Sequence, residues 1–91
     1  MCRNIRPLFN FDPPATDDDV RAAALQFVRK ISGYNAPSAA NKEVFDRAVD
    51  DVSTAARSLL TSLQTPAAPK DRAVADARAR ERARARYVRI V

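Results

Sequence analysis

Residues 41–63, NKEVFDRAVDDVSTAARSLLTSL, decide how this chain folds. Apolar residues recur there at steps of three, four and seven positions over about five turns, which predicts an amphipathic helix. The apolar face consists of Val44, Phe45, Ala48, Val49, Val52, Ala56, Leu59, Leu60 and Leu63. We expect a helix over residues 39–63, capped by Ser38 or Asn41, that forms most of the core.

Residues 17–32, upstream of that stretch, predict a partner helix with signals at both ends. Thr16 is suited to the N-cap position and Asp19 completes a capping box, while Gly33 can adopt the left-handed conformation that ends a helix. Three successive aspartates at residues 17–19 could also bind a metal, but capping and the helix dipole already account for them. The apolar stripe is Val20, Ala24, Phe27, Val28 and Ile31.

The two ends of the chain differ from this helical pair. Three prolines and four large apolar residues before residue 17 predict an extended arm that covers the core. Residues 70–88 are rich in alanine and arginine, so we expect a third helix rather than a strand. The predicted fold is all-α: an antiparallel helix pair with an extended N-terminal arm and a basic C-terminal helix. We expect residues 1–70 to be compact and residues 71–91 to dock loosely or project.

Composition narrows the classes of function. The chain has 91 residues, one cysteine and no histidine, and it shows no arrangement of residues typical of a nucleophilic or phosphate-binding enzyme. An enzymatic function is therefore the less favoured hypothesis, and no cofactor is expected. A lone cysteine, the lack of an apolar run near 18 residues and the lack of a secretory signal predict a cytoplasmic protein without a membrane role.

Several motifs resemble a family of small bacterial proteins known as domain of unknown function 2277. They are MCRNIRPLFNFDPPAT, ALQFVRKISG, PSAANKEVFDRAVDDV and SLLTSL, which together span most of the chain. The resemblance implies a cytosolic bacterial protein and carries no activity with it. It draws attention to Cys2, Arg3, Asn4, Asn10, Gln26, Arg29, Lys30, Ser32 and Gly33.

Two candidate sites come from these residues. If Met1 is removed, Cys2 becomes the N-terminus beside Arg3, and the protein could then respond to redox state or metals through its thiol. The alternative is that Cys2 only packs as a small apolar residue. A candidate polar patch could bind a phosphate or carboxylate, although helix packing would equally explain it. Its residues are Arg3, Asn4, Gln26, Arg29 and Lys30.

The basic tail supports the leading functional hypothesis. Residues 1–70 hold nine Lys/Arg against eight Asp/Glu, whereas residues 71–91 hold seven arginines against three acids. The candidate nucleic-acid-binding residues are Arg78, Arg80, Arg82, Arg84, Arg86 and Arg89. We expect a non-enzymatic interaction module whose tail contacts RNA, ribosomal RNA included, or an acidic protein partner. Alternatively, the arginines pair with Asp46, Asp50 and Asp51 and form only a solvated face.

Overall fold

The computed structural model describes the backbone of residues 4–90 and the side chains of residues 4–86. Three helices make up most of it: α1 is Asp17–Ser32, α2 is Lys42–Ser62 and α3 is Arg72–Ile90. Two very short strands, β1 at Phe11–Asp12 and β2 at Lys70–Asp71, pair in parallel. The mostly helical fold is confirmed. The strand pair was not predicted, because two residues are too few to produce a period-two pattern.

The two ends of α1 form as its sequence predicts. The Asp19 backbone N–H donates to Thr16 Oγ1 at 3.1 Å, and the Thr16 N–H donates to Asp19 Oδ2 at 2.9 Å. At the other end Gly33 has a φ of 80°, and its N–H donates to the Arg29 carbonyl at 2.9 Å. A glycine suits this position because residues with a Cβ rarely adopt that conformation. These local bonds fix where α1 begins and ends.

α2 begins at Lys42, directly after the later of the two caps that its sequence suggests. The Asn41 N–H donates to the Ser38 carbonyl at 3.0 Å, so residues 38–41 form a turn before the helix. Asn41 is the N-cap, although its side chain makes no capping hydrogen bond. Of the two caps that the sequence suggested, Asn41 is confirmed and Ser38 is not. The start at residue 39 was wrong, since proline and small residues around position 38 suit a turn as well as a first helical turn.

α1 and α2 pack antiparallel. Asp17 forms an ion pair with Arg57, and Arg21 pairs with Asp50 at 2.6 Å, so positions rise along α1 as they fall along α2. Between the helices lies a small core of Ala24, Val28, Phe45 and Val49. Partly buried Leu25, Ala48 and Val52 pack around it. The predicted helix pair is confirmed, with the central turns of both stripes at its core.

The predicted stripes are wider than the surface that becomes buried. On α1, Phe27 and Ile31 are exposed, and on α2 the exposed positions include Val44, Leu59 and Leu63. The position of Leu59 has a simple cause: the start of α1 lies opposite Arg57, so the last turn of α2 extends beyond it. The expectation that Leu59 is a core residue was wrong, because a helical stripe is buried only where a partner helix runs beside it.

The N-terminal arm covers one end of the helix pair, as expected. Phe11 is only 7% exposed, and Leu8 and Phe9 are half-buried, whereas Ile5 remains exposed. A cavity of about 270 Å³ lies between the arm and the helix ends, with Val20 and Leu60 in its wall. The molecule is thin, with principal extents of 42 × 41 × 15 Å, so the helix pair forms a single layer.

Candidate nucleic-acid interface

The first turn of α3 is held against the N-terminal arm. The Lys70 N–H donates to the carbonyl of Asn10, the residue before β1, at 2.9 Å, and Asp71 Oδ1 accepts from the Val74 N–H at 3.0 Å. Asp71 therefore caps α3 immediately after β2 ends. These bonds set the direction in which α3 leaves the body of the protein.

Arg72 makes the closest contacts between α3 and the arm. Its guanidinium carbon lies 3.6 Å from the centre of the Phe11 ring, which is a cation–π arrangement. Its Nη2 donates to the Pro7 carbonyl at 2.6 Å, and its Nη1 lies 3.2 Å from Asp76 Oδ1. The side chain is only 16% exposed. Arg72 is thus a structural arginine, unlike the arginines between residues 78 and 86.

A chain of charges links the starts of α1 and α3. Arg6, from the arm, lies 3.2 Å from Asp76 and 3.8 Å from Asp19. The hydrogen bond from the Thr16 backbone N–H is the main cause that holds the pKa of Asp19 below its ordinary value, with smaller contributions from the Thr16 hydroxyl, Arg6 and Arg72. Arm, α1 and α3 therefore meet around Arg6, and the first five residues of α3 belong to this junction.

Beyond Asp76, α3 carries exposed arginines. The side chains of Arg78, Arg80, Arg82, Arg84 and Arg86 are all exposed. Within residues 4–86, where side chains are described, none of the five lies within 4.0 Å of a carboxylate oxygen. The side chain of Arg89 lies outside the described residues. Ala79 and Ala83, which lie between these arginines, are exposed as well, so this part of the helix projects without packing.

The aspartates of α2 have other partners. Asp46 accepts from Lys42 Nζ at 2.6 Å, and Asp50 pairs with Arg21. Asp51 is exposed. Neither of these two paired aspartates forms an ion pair with a described side chain of α3. The described side chains therefore do not form the expected alternative, in which the tail arginines pair with the aspartates of α2. The five exposed arginines between residues 78 and 86 therefore remain available to a ligand.

The residues of the candidate polar patch lie in different surroundings. Arg29 Nε donates to the Asn35 carbonyl at 2.8 Å and so holds the loop after α1. Lys30 and Asn4 are exposed and Gln26 is half-buried. Arg3 and Cys2 lie outside the described residues. The patch and the reactivity of Cys2 therefore stay predictions, and Arg29 has a structural role.

The acidic residues at the start of α1 also have structural partners. Asp19 Oδ2 accepts from the Thr16 N–H, as the capping interpretation requires, and Asp17 pairs with Arg57 of α2. Over the part of the chain that the structure describes, there is no group of three or more His, Cys, Asp and Glu side chains placed to hold a metal. Nor is any helix of that part long and apolar enough to cross a membrane.

Asn10 and Ser32, two further residues of the sequence motifs, also have structural roles. Asn10 has a φ of 63°, and its side-chain amide donates to the carbonyls of Ala67 and Ala68 at 3.3 and 3.2 Å. It thereby joins the arm to the segment before β2. Ser32 Oγ accepts from the Tyr34 N–H at 3.2 Å beside the Gly33 cap. These contacts account for both residues without a ligand.

Sequence reasoning missed Arg6, Arg72 and Asp76. Arg6 and Asp76 are 70 positions apart, and Arg72 reaches Phe11 across a comparable separation, so no local pattern could pair them. The one available signal was charge: Arg72 and Asp76 are four residues apart, a spacing that favours an ion pair on a helix.

The fold and this surface define a small helical protein that presents a basic C-terminal helix. A family model described as an uncharacterized conserved protein (DUF2277) matches residues 1–78, so the chain belongs to that family. The match ends at Arg78, and the other candidate arginines follow it. No curated protein and no solved structure matches the chain.

Proposed function

We propose that this chain is a small, non-enzymatic RNA-binding module of the bacterial cytoplasm, and that the arginines of α3 contact RNA phosphates. The observation that carries the proposal is the exposure of five arginines from 78 to 86 on a helix whose first turn is held by Arg72 and Asp76. Arginine suits phosphate because its planar guanidinium can donate two parallel hydrogen bonds.

The distribution of charge supports the same proposal. Residues 1–76 contain ten Lys/Arg and ten Asp/Glu, so they are formally neutral, and residues 77–91 contain six arginines and one glutamate. The whole net charge of +5 therefore belongs to residues 77–91. A charge concentrated in this way attracts a polyanion and releases its condensed counterions on binding.

The side chains from 77 to 86 favour phosphate contacts over base reading. This segment contains only alanine, arginine and Glu81, with none of the asparagine or glutamine side chains that pair with adenine edges. Nor does it contain an aromatic residue on which a base could stack. Binding should accordingly depend on the shape and charge of the RNA more than on its sequence.

The first test is the dependence of affinity on salt. For a fluorescently labelled single-stranded RNA, with three or four phosphates contacted, log K against log salt should fall with a slope of roughly −2 to −3. The variant Arg78→Gln/Arg82→Gln should weaken binding and reduce the slope by about 1.4. The matched control Lys42→Gln/Arg47→Gln removes two exposed positive charges from α2 and should leave both quantities unchanged.

Two results would contradict the proposal. Equal losses for the α3 variant and the α2 control would mean that net charge, and not this helix, determines binding. Equal affinity for RNA and for polyglutamate at the same charge concentration would favour an acidic protein partner instead, because polyglutamate offers carboxylates without phosphates.

A further inference from the structure

The arginines of α3 lie on two opposite faces. Successive residues of an α-helix are rotated by about 100°, so Arg78, Arg82 and Arg86 lie within an arc of about 80°. Arg80 and Arg84 lie together at a mean angle about 180° from the first group. All five side chains are exposed, so both faces are open to a ligand at once. A helix that used one basic face would not need the second.

The residues between the two faces leave space on both sides. Ala79 and Ala83 separate the arginines on one side, and Glu81 and Ala85 separate them on the other. These four side chains are also exposed, and nothing in the described part of the chain packs over them. The helix beyond Asp76 is therefore narrow, and it carries cations on two sides. A strand of RNA lying along it can contact only one of those sides.

A groove bordered by two phosphate strands can contact both. An α-helix with its side chains is about 10–12 Å across, and a groove about 12 Å wide admits one. The major groove of a regular RNA duplex is deep and narrow, so a helix does not fit into it. Unpaired bases in an internal loop or a bulge interrupt that regular geometry and allow the groove to open.

We propose that α3 enters the major groove of a structured RNA at an internal loop or bulge, with each arginine face contacting one of the two strands. This inference rests on the proposed RNA-binding function and adds the class of RNA. It also gives the junction at Arg72 and Asp76 a role in binding. Because the first turn of the helix is already fixed, both faces can enter a groove without the cost of ordering that turn.

The test compares two variants of equal charge. Arg78→Gln/Arg82→Gln removes two cations from one face, and Arg80→Gln/Arg84→Gln removes two from the other. Glutamine is a good helix former, and circular dichroism with a thermal melt establishes that each full-length variant folds like the parent. The probes are an RNA hairpin with a purine-rich internal loop, the same hairpin fully paired, and its unpaired single strand.

We expect the hairpin with the internal loop to bind most tightly, with a salt slope of roughly −4 to −5 as about five phosphates are contacted. Both variants should then lose affinity for it to a similar extent, on the order of tenfold. On the single strand the slope should be shallower, and the loss should differ between the variants, because a strand lies on one face at a time.

The outcomes separate this inference from the proposed function. Equal affinity and equal salt slope for the internal-loop hairpin and the single strand would overturn the proposal that α3 binds in a groove. The proposed RNA binding would stand. A loss of affinity for the internal-loop hairpin in Arg78→Gln/Arg82→Gln alone would also overturn binding in the groove. Tighter binding to the fully paired hairpin would overturn the requirement for unpaired bases. Failure of all three RNAs to bind would overturn the proposed function itself.

Discussion

At the scale of single residues, the arginines of α3 divide into two kinds. Arg72 is largely buried against Phe11 and bonded to Pro7 and Asp76, whereas the five arginines between residues 78 and 86 are exposed. The same side chain therefore serves packing at the start of the helix and solvent contact further along it. Sequence composition alone does not distinguish the buried arginine from the exposed ones.

The structural role of Arg72 can be tested by substitution. Arg72→Ala removes a cation–π contact, a hydrogen bond to a carbonyl and an ion pair, so we expect it to lower the free energy of unfolding by about 1–3 kcal/mol. Arg72→Lys should recover only part of this, because lysine lacks the planar guanidinium. Urea unfolding measures both, with exposed Arg78→Ala as the control. A loss no larger than that of the control would show that Arg72 does not hold the junction.

Asp19 gives the stability of the protein a predictable dependence on pH. Because the Thr16 N–H and nearby arginines lower its folded pKa below the ordinary 3.8, the ionised carboxylate favours the folded state. That contribution is complete above pH 3.8 and is lost as the pH falls through the lower, folded pKa.

Asp19→Asn should therefore cost most stability near neutral pH and progressively less in acid, since asparagine cannot ionise. Urea midpoints measured from pH 7 down to pH 2 would show the curves of parent and variant converging. Asp18→Asn, at the exposed neighbouring position, serves as the control for a general loss of charge. Parallel curves for parent and Asp19→Asn would contradict the assigned role.

At the scale of elements, α2 is longer than the partner it packs against. It has 21 residues against 16 in α1, a difference of about 7–8 Å at 1.5 Å per residue. Its apolar stripe continues over the whole length, and the excess is exposed at its C-terminal end, where Leu59 is 57% exposed. The same stripe thus contains core and surface residues.

Two truncations within this stripe should differ in cost. Phe45→Ala should lower the free energy of unfolding by about 3–5 kcal/mol, because Phe45 is 8% exposed and its removal leaves a cavity in the core. Leu59→Ala should cost less than about 1.5 kcal/mol, since much of that side chain already meets solvent. Chemical unfolding of both variants measures the difference. Equal losses would place Leu59 in the core after all.

At the scale of the whole molecule, the contacts of α3 bear on where the compact body ends and the projecting helix begins. The predicted boundary after residue 70 would separate Arg72 and Asp76 from the arm that they contact, and it stays a prediction. The contacts favour a boundary after Asp76, because the last of the described long-range contacts of α3 are made there and the side chains from 77 to 86 are exposed.

Chains ending at two different points test this boundary. A chain of residues 1–77 should keep a cooperative melt and lose RNA binding, because it retains the junction and lacks the arginines. A chain of residues 1–70 should melt at a lower temperature, because Phe11 loses the guanidinium that covers it. Circular dichroism and the RNA-binding assay measure the two properties. Identical melts for the two chains would place the boundary at residue 70 instead.

The sequence by itself determined the presence of the helices, both ends of α1 and the concentration of charge. Capping by Thr16 and Asp19, the stop at Gly33 and the apolar periodicity of α2 all depend on residues within a few positions of one another. Local bonding and rotation about the helix axis are therefore sufficient to predict them.

Only the tertiary structure decided which of these features are buried and how α3 is held. The exposure of Leu59 depends on where α1 begins beside it, and the role of Arg72 depends on a ring 61 positions earlier in the chain. The junction of Arg6, Asp19 and Asp76 likewise joins three separate segments. Contacts between residues so far apart are set by how the elements pack, and no local pattern of sequence specifies that packing.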